Sequence, residues 1–335
     1  MKRPTHPRRS AAGMGALCVL VASVLWGTTG TAATFAPEVS ALAIGSVAMG
    51  LGGILQALVA APQVARHTPG LREQRGVVLL GAASVAVYPL AFYSSMHLAG
   101  VAVGTVVSIG TAPLASALIE RVVDGRRLTR RWMLAASLGL LGTVLLCVAE
   151  AGQATAGAST AAMLLGVGLG LVAATTYALY AWAAHRLITG GVPSRAAMGA
   201  VFGLGGLLLL PVLLATGAPL VGSWPNAAVG AYMAVVPMFA GYALFGWGLA
   251  HLPASTATTL SLLEPAVAAV LAVLVVGERL PAAGWTGITL VIACLAVLTT
   301  PSPTARRRKQ QPRSPEAENE SNDAMQGELV PPGAA

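Results

Sequence analysis

Charge is scarce in this chain. Only 10% of its 335 residues are Asp, Glu, Lys or Arg, whereas a soluble domain carries about 25% charged residues. Hydrophobic residues make up 56% of the sequence, and long apolar runs recur from end to end. This composition excludes an ordinary soluble domain and predicts an all-α protein that crosses a membrane many times.

Cysteines and catalytic motifs are also few. The three cysteines, Cys18, Cys147 and Cys294, lie inside apolar runs and have no CxxC partner, so we expect neither a metal site nor a disulfide framework. The sequence shows no recognisable Ser–His–Asp set, no HExxH motif and no Walker-type lysine motif. We therefore predict no catalytic residues and no cofactor, a protein that is not an enzyme, and no ATP-driven transport by this chain alone.

Ten apolar runs are long enough to span a bilayer, which takes about 20 mostly apolar residues. The first is longer than the apolar core of a signal peptide, so we expect an uncleaved helix. Outside the runs lie a basic cytoplasmic arm, 1–11, and a polar tail, 301–335, which is predicted to be disordered and cytoplasmic. The predicted spans are 12–33, 39–61, 76–97, 101–123, 132–150, 161–184, 195–216, 227–249, 254–276 and 282–300.

The distribution of basic residues predicts the orientation. If the amino terminus lies in the cytoplasm, all but Arg279 of the 20 Lys and Arg residues fall on the cytoplasmic side, as the positive-inside rule requires. We therefore predict a multi-pass protein of the inner (cytoplasmic) membrane with both termini in the cytoplasm. The net charge of +8 is then explained by membrane orientation, and no nucleic-acid partner is expected. Anionic lipids of the bilayer are suitable partners for the tail.

An internal repeat underlies the ten spans. Residues 88–98 in the third span align without gaps with residues 242–252 in the eighth, so that Tyr88 matches Tyr242. The aligned segments end on the same His–Leu pair. The third and eighth spans are therefore predicted to be equivalent helices.

The same repeat relates the fourth span to the ninth, because Pro113 matches Pro265 at nearly the same offset. We predict two units of five spans, at 12–150 and 161–300. An odd number of spans makes the second unit enter the membrane from the opposite side. Inverted repeats of this kind are typical of transporters that alternate between two openings around a midplane site.

Three short motifs resemble a known family. They are Val24-Leu25-Trp26-Gly27 in the first span, the segment around Pro113, and Leu262-Leu263-Glu264-Pro265 followed by Gly277-Glu278-Arg279-Leu280. Together these motifs look like the EamA family of the drug/metabolite transporter superfamily, with similarity over roughly 13–300. The first half departs from the pattern, since Arg126 stands where the second half has Glu278. The resemblance implies ten helices in two five-helix repeats, a central cavity, and export of small metabolites or amino acids.

Glu264 is the sharpest candidate for a functional residue. It falls near the middle of the ninth run, where an ionisable group is costly and by default functional. Pro265 follows it and cannot donate to the carbonyl of Ser261, so we expect a kink with a freed carbonyl. We predict a protonatable group that binds a substrate amine or couples transport to protons. The alternative is a protonated acid that bonds to a neighbouring helix and shapes the kink.

Two further groups of side chains are predicted to face the cavity. Pro113 and Pro265 would kink the fourth and ninth spans, and Ser108 and Ser261 near them would line the cavity or satisfy helix backbone. Aromatic residues deep in the spans need partners for their polar tips, so we predict that they bind substrate, with core packing as the alternative for each one. These aromatic residues are Trp26, Tyr88, Tyr93, Tyr177, Tyr180, Tyr242 and Trp247.

The combined prediction is a secondary transporter that takes a small-molecule substrate and exports it by alternating access, with protons as the candidate coupling ion. The alternative is an integral-membrane enzyme or a lipid translocator that acts on lipid-linked substrates. An enzyme would need several polar groups converging at one interface, and the sequence shows one buried acid and scattered hydroxyl groups.

Overall fold

The computed structural model describes residues 7–151, 160–277 and 279–300. Within these ranges every regular element is helical, and ten helices are long and apolar enough to cross a membrane. Residues 1–6 of the basic arm, Glu278 and the tail 301–335 lie outside the described residues. The spanning helices are α1 Ala11–Ala33, α2 Ala41–Arg66, α3 Arg75–Ala99, α4 Val103–Val123, α5 Arg130–Ala149, α6 Thr160–Thr189, α7 Ser194–Thr216, α8 Trp224–Leu249, α9 Ala254–Val275 and α10 Ala282–Thr299.

The ten predicted spans are confirmed, with differences at the ends. The helices α2 and α6 continue for more than a turn past their predicted ends, to Arg66 and Thr189. Their last turns carry the basic residues Arg66 and Arg186, which hydropathy excludes from a span although the helix itself continues. The helix that contains α1 begins earlier than expected, at Pro7, because proline is well tolerated at the first helical position.

Four of the ten spans are not regular α-helices throughout. A break at Thr28 divides α1 into the helices Pro7–Gly27 and Thr29–Ala33. Wider π-helical turns occupy Val106–Gly110 in α4, Ala234–Ala240 in α8 and Ala272–Val276 in α9. Such turns often occur at functional sites, because they leave backbone groups without their usual partners.

The helix pairs follow the repeat predicted from the sequence. The helix α2 packs on α7, α5 packs on α10, and α4 packs on α9. In addition, α3 packs on α6, and the corresponding pair in the other repeat is α8 on α1. In the same way, α4 packs on α6, and α9 packs on α1. The repeat mate of each helix is the one five places further along, counted in a cycle of ten. When every helix is replaced by its repeat mate, the same set of pairs results. The described residues therefore form two equivalent five-helix units, which confirms the predicted fold class.

Small residues allow the closest of these helix contacts. Gly199 and Gly203 of α7 face α2. A Cβ atom added to Gly199 would lie 2.4 Å from the Cβ of Ala60, and one added to Gly203 would lie 2.3 Å from the Cβ of Ala57. No side chain larger than hydrogen fits there without a shift of the helices. Gly199 and Gly203 therefore allow α2 and α7 to pack closely.

Candidate functional site: a cavity beside Glu264

A cavity of about 490 Å³ lies between the two repeats, enclosed by α1, α3, α4 and α5 of the first and by α9 and the segment 279–281 before α10 of the second. Its deep end contains Trp26 and Glu264. Its outer end contains Thr34, Met96 and Pro281, which lie at helix ends on the side opposite the amino terminus. The cavity therefore extends from the middle of α9 toward that side of the molecule.

The walls of the cavity differ in chemistry. The wall formed by α1 is polar, with the hydroxyl groups of Thr29, Thr31 and Thr34. The wall formed by α9 is apolar and built from small residues such as Ala268 and Ala272. Such a cavity suits a small solute that has an apolar body and a few polar groups. Glu264 is the acid of the lining, and Arg279 lies near its mouth.

A second, smaller cavity of about 30 Å³ adjoins the deep end, with room for a water molecule or two. Its lining is mainly aromatic, and it shares Trp26, Tyr93 and Glu264 with the large cavity. The structure thus brings six of the predicted site residues together around one point. They are Trp26, Tyr88, Tyr93, Tyr177, Tyr242 and Glu264.

Glu264 is the second residue of the helix Leu263–Leu271, which resumes α9 after a break. In the described part of the chain, its carboxylate makes no hydrogen bond and no ion pair to another side chain or to the backbone. The dipole of the helix that it begins favours a negative charge at this position. The carboxylate is therefore available to a solute in either cavity.

The break before Glu264 is organised by Ser261. Its carbonyl, which we expected to be free, accepts a hydrogen bond of 2.9 Å from the amide of Glu264. The expectation is wrong because a tighter turn of three residues supplies the donor that Pro265 lacks. The Ser261 hydroxyl accepts a hydrogen bond of 2.8 Å from the Tyr177 hydroxyl and donates to the carbonyl of Thr258. The helix α6 therefore supports the break in α9.

The aromatic residues around the small cavity form one connected cluster. The ring centroids of Trp26 and Tyr242 are 4.8 Å apart, and those of Tyr177 and Tyr180 are 5.1 Å apart. The Trp26 ring nitrogen donates to the carbonyl of Pro237 at 2.9 Å, and the hydroxyls of Tyr180 and Tyr242 are 2.8 Å apart. The polar atoms of Trp26, Tyr180 and Tyr242 are thus partnered inside the protein, as buried aromatic residues require.

Five predicted residues lie outside both cavity linings, namely Ser261, which is described above, and four others. Trp247 is 38% exposed, and its ring packs on His251 at 4.1 Å. Tyr180 lies behind Tyr242 in the aromatic cluster. Ser108 is fully buried, and its hydroxyl finds no partner among the described residues. Pro113 is buried in the first turn of the helix Ala112–Val123, whereas Pro265 lines the large cavity.

Sequence reasoning missed the threonines of α1 as lining residues. Three of them, Thr29, Thr31 and Thr34, occur within six residues of an apolar run. That density of hydroxyl groups in a spanning helix was the available signal, because polar groups in hydrocarbon turn toward protein or water. It was overlooked because each hydroxyl is small and can be satisfied by its own helix.

Comparison with known proteins identifies the family. A sequence model described as the EamA-like transporter family matches this chain twice, at residues 13–148 and 164–300. The chain belongs to the EamA-like transporter family. The family indicated by the motifs around Trp26, Pro113 and Glu264 is therefore confirmed. The chain is a multi-pass membrane transporter.

Two curated proteins are similar over almost their whole length. One is named "Uncharacterized transporter YwfM" from Bacillus subtilis and is 32% identical, over 88% of this chain and 95% of its own. The other is named "Probable terminal-alkyne amino-acid exporter" from Streptantibioticus cattleyicolor and is 24% identical, over 87% of this chain and 98% of its own. A solved crystal structure that is 22% identical has a TM-score of 0.70 and covers 90% of this chain and 99% of that chain, which shows a shared fold.

Proposed function

We propose that this EamA-family protein is a secondary transporter that exports small metabolites or amino acids by alternating access. The observation that carries the proposal is the cavity of about 490 Å³ between the two repeats, which ends at an acid that has no partner among the described residues. A midplane site between inverted repeats is the arrangement that lets two halves of a carrier rock around one solute. The five-helix units at 12–150 and 161–300 are the two halves.

The lining favours a solute with an amino group and an apolar body. Glu264 supplies a carboxylate, and Trp26 and Tyr93 supply aromatic faces beside it, which suit both a cation and an apolar group. The hydroxyl groups of Thr29 and Thr31 offer hydrogen bonds along one wall. The relative from Streptantibioticus cattleyicolor, which is named an amino-acid exporter, supports the same class of substrate.

Proton exchange is the proposed driving reaction. A proton and a substrate amine would compete for the carboxylate of Glu264, so that export of one is tied to entry of the other. The titratable side chains that face Glu264 across the small cavity are the phenols of Tyr88, Tyr93, Tyr177 and Tyr242. Glu264 is the carboxyl group among these side chains, so we assign proton coupling to it.

The proposed location is the cell membrane, with both termini in the cytoplasm. Apart from Arg279, the described basic residues near the helix ends, such as Arg72, Arg126 and Arg130, lie on the side of the amino terminus, which supports this orientation. In this proposed orientation the large cavity faces the outside, as an outward-open state of the cycle requires.

Counterflow in proteoliposomes tests the proposal. Purified protein is reconstituted with a panel of unlabelled amino acids and amines inside, and uptake of a labelled member of the panel is followed. Saturable counterflow supports a carrier. Product formation without movement of solute would show an enzyme instead, and movement of labelled lipid between leaflets would show a lipid translocator.

The variant Glu264→Gln tests the coupling role. It keeps the size of the side chain and removes its charge, so we expect the pH dependence of transport to disappear while the protein stays folded in the membrane. The matched control is Glu73→Gln, because Glu73 is an exposed acid on a short helix between α2 and α3. Unchanged pH dependence in folded Glu264→Gln would contradict proton coupling through this residue.

A further inference from the structure

A second acid in the spanning helices has no place in the site around Glu264. Glu120, near the end of α4 on the amino-terminal side, is only 1% exposed. Its carboxylate accepts two hydrogen bonds from Ser255 at the start of α9, at 2.6 Å from the hydroxyl and 3.2 Å from the amide. From the sequence, Glu120 beside Arg121 is expected to be an interfacial ion pair or a snorkelling charge. An ion pair is present, but it is formed with Arg126 at 3.9 Å, and the hydrogen bonds come from a residue 135 positions away in the chain.

The contact joins the two repeats on one side of the molecule. The helices α4 and α9 pack on each other between the two repeats, and the bonds from Ser255 to Glu120 join them on the amino-terminal side. The ring nitrogen of Trp132 also donates to the carbonyl of Ser255, at 3.3 Å. Beside this contact, Asp124 accepts hydrogen bonds from the ring nitrogen of Trp182 at 2.8 Å and from Arg186 at 2.7 Å.

The repeat shows what the opposite side has instead. At the offset that relates Pro113 to Pro265, Glu120 matches Ala272 and Ser255 matches Val103. Ala272 lines the large cavity. The acid and the hydroxyl are therefore buried against each other on one side, whereas the side that carries two apolar residues at the same positions has the large cavity.

The same offset identifies the residues of α4 that match the cavity wall of α9. Ala268 and Ala269 line the open cavity, and their repeat mates are Ser116 and Ala117, which are 0% and 2% exposed. The hydroxyl of Ser116 has no hydrogen-bond partner among the described residues. A buried polar group without a partner is unfavourable, and it would gain water if the helices separated there.

We propose that a second half-channel runs from Glu264 along Ser116 and Glu120 to the amino-terminal side, and that the hydrogen bonds between Ser255 and Glu120 hold it closed. The proposal rests on the alternating-access function proposed above. When α4 and α9 separate on that side, Glu120 is released and becomes the first acid in the spanning helices that a solute entering there meets. The half-channel therefore takes the same class of solute as Glu264, a small amine or other cation.

Cysteine accessibility tests the closed half-channel without any need for transport. In a background with Cys18, Cys147 and Cys294 replaced by serine, the variants Ala268→Cys and Ser116→Cys are treated with a membrane-impermeant thiol reagent from each side of vesicles. With Glu120 and Ser255 intact, we expect Ala268→Cys to react from the side opposite the amino terminus and Ser116→Cys to be protected from both sides.

Loss of the contact should reverse this pattern. When Glu120→Ala is added, we expect Ser116→Cys to react about tenfold faster or more from the amino-terminal side, since a charge-assisted hydrogen bond no longer favours the closed state. Labelling at Ala268→Cys should slow at the same time. The control Glu73→Gln should change neither rate. Unchanged protection of Ser116→Cys in folded Glu120→Ala, or faster labelling at both positions, would overturn the proposal.

Two further variants give an answer even if Glu120→Ala does not fold. Ser255→Ala keeps the acid and should shift the labelling in the same direction, by a smaller factor. The pair Ala272→Glu and Val103→Ser builds the contact on the open side, and it should slow labelling at Ala268→Cys. Failure of both shifts would overturn the proposed closure, whereas a lack of counterflow with the shifts present would count against the transport function alone.

Discussion

The helices α4 and α9 occupy equivalent positions in the two repeats, yet they carry their acids at positions that do not match. In α9 the acid is Glu264, which faces the cavity, and its repeat mate in α4 is the fully buried Ala112. In α4 the acid is Glu120, which is bound to Ser255, and its mate in α9 is Ala272 on the cavity wall.

This difference shows how a backbone with internal symmetry comes to rest in an asymmetric state. The two repeats pack through the same helix pairs, so the backbone alone does not select the side that opens. In the closure proposed above, the side chains at a few matched positions select it, because hydrogen bonds to a buried acid can form on one side only. The carboxylate of Glu264, which has no partner among the described residues, is then left at the deep end of the open side.

Placing an acid at the mate of Glu264 should have the largest effect. Ala112 is fully buried, so Ala112→Glu puts a carboxyl group where it has neither water nor a partner. We expect a loss of about 3 kcal/mol or more in the free energy of unfolding, measured as a lower melting temperature and folded yield in detergent. The matched variant is Ala268→Glu, on the cavity wall, which should be tolerated. Equal stability of the two variants would contradict the difference between the halves.

Blocking the open side should have the next largest effect. Thr31 lines the cavity, and Thr31→Trp fills part of the route to Glu264, so we expect counterflow to fall by about tenfold or more, a barrier increase of about 1.4 kcal/mol. The control is Thr175→Trp, because Thr175 is an exposed threonine of α6 outside both cavities. Normal counterflow in folded Thr31→Trp would mean that solutes do not use this cavity.

The smallest effect is expected at Trp247. Its ring is partly exposed and packs on His251 outside both cavities, so Trp247→Leu should change the apparent affinity in counterflow by about twofold or less, as for a surface substitution of about 0.5 kcal/mol. Trp26→Leu is the contrasting variant, since Trp26 lines both cavities, and it should weaken binding clearly more. Equal losses in the two variants would show that Trp247 also reaches the solute.

The fold was predictable because its main signals are local. Each span has to satisfy its own backbone and be apolar over a fixed length, so hydropathy located all ten helices. The matching tyrosines at 88 and 242 and prolines at 113 and 265 revealed the repeat. What hydropathy missed were the helix ends at Arg66 and Thr189, where a helix continues into polar surroundings.

The site was predictable in part. The central role of Glu264 in the lining and the clustering of Trp26, Tyr88, Tyr177 and Tyr242 agree with the geometry. However, the depth of a residue along a helix says little about the direction in which it points. Trp247 lies two residues before the end of α8, and Tyr242 lies five residues earlier. Five residues rotate a helix by about 140°, and of the two only Tyr242 lines the small cavity.

The sequence by itself determined the number of membrane crossings, the two-fold repeat and the presence of an acid at the middle of α9. It did so because the cost of burying each residue in hydrocarbon depends on that residue and its near neighbours. Only the tertiary structure decided that Ser255 binds Glu120, that Thr31 lines a cavity and that one side is closed. Those features depend on contacts between helices far apart in the chain, which no local pattern records.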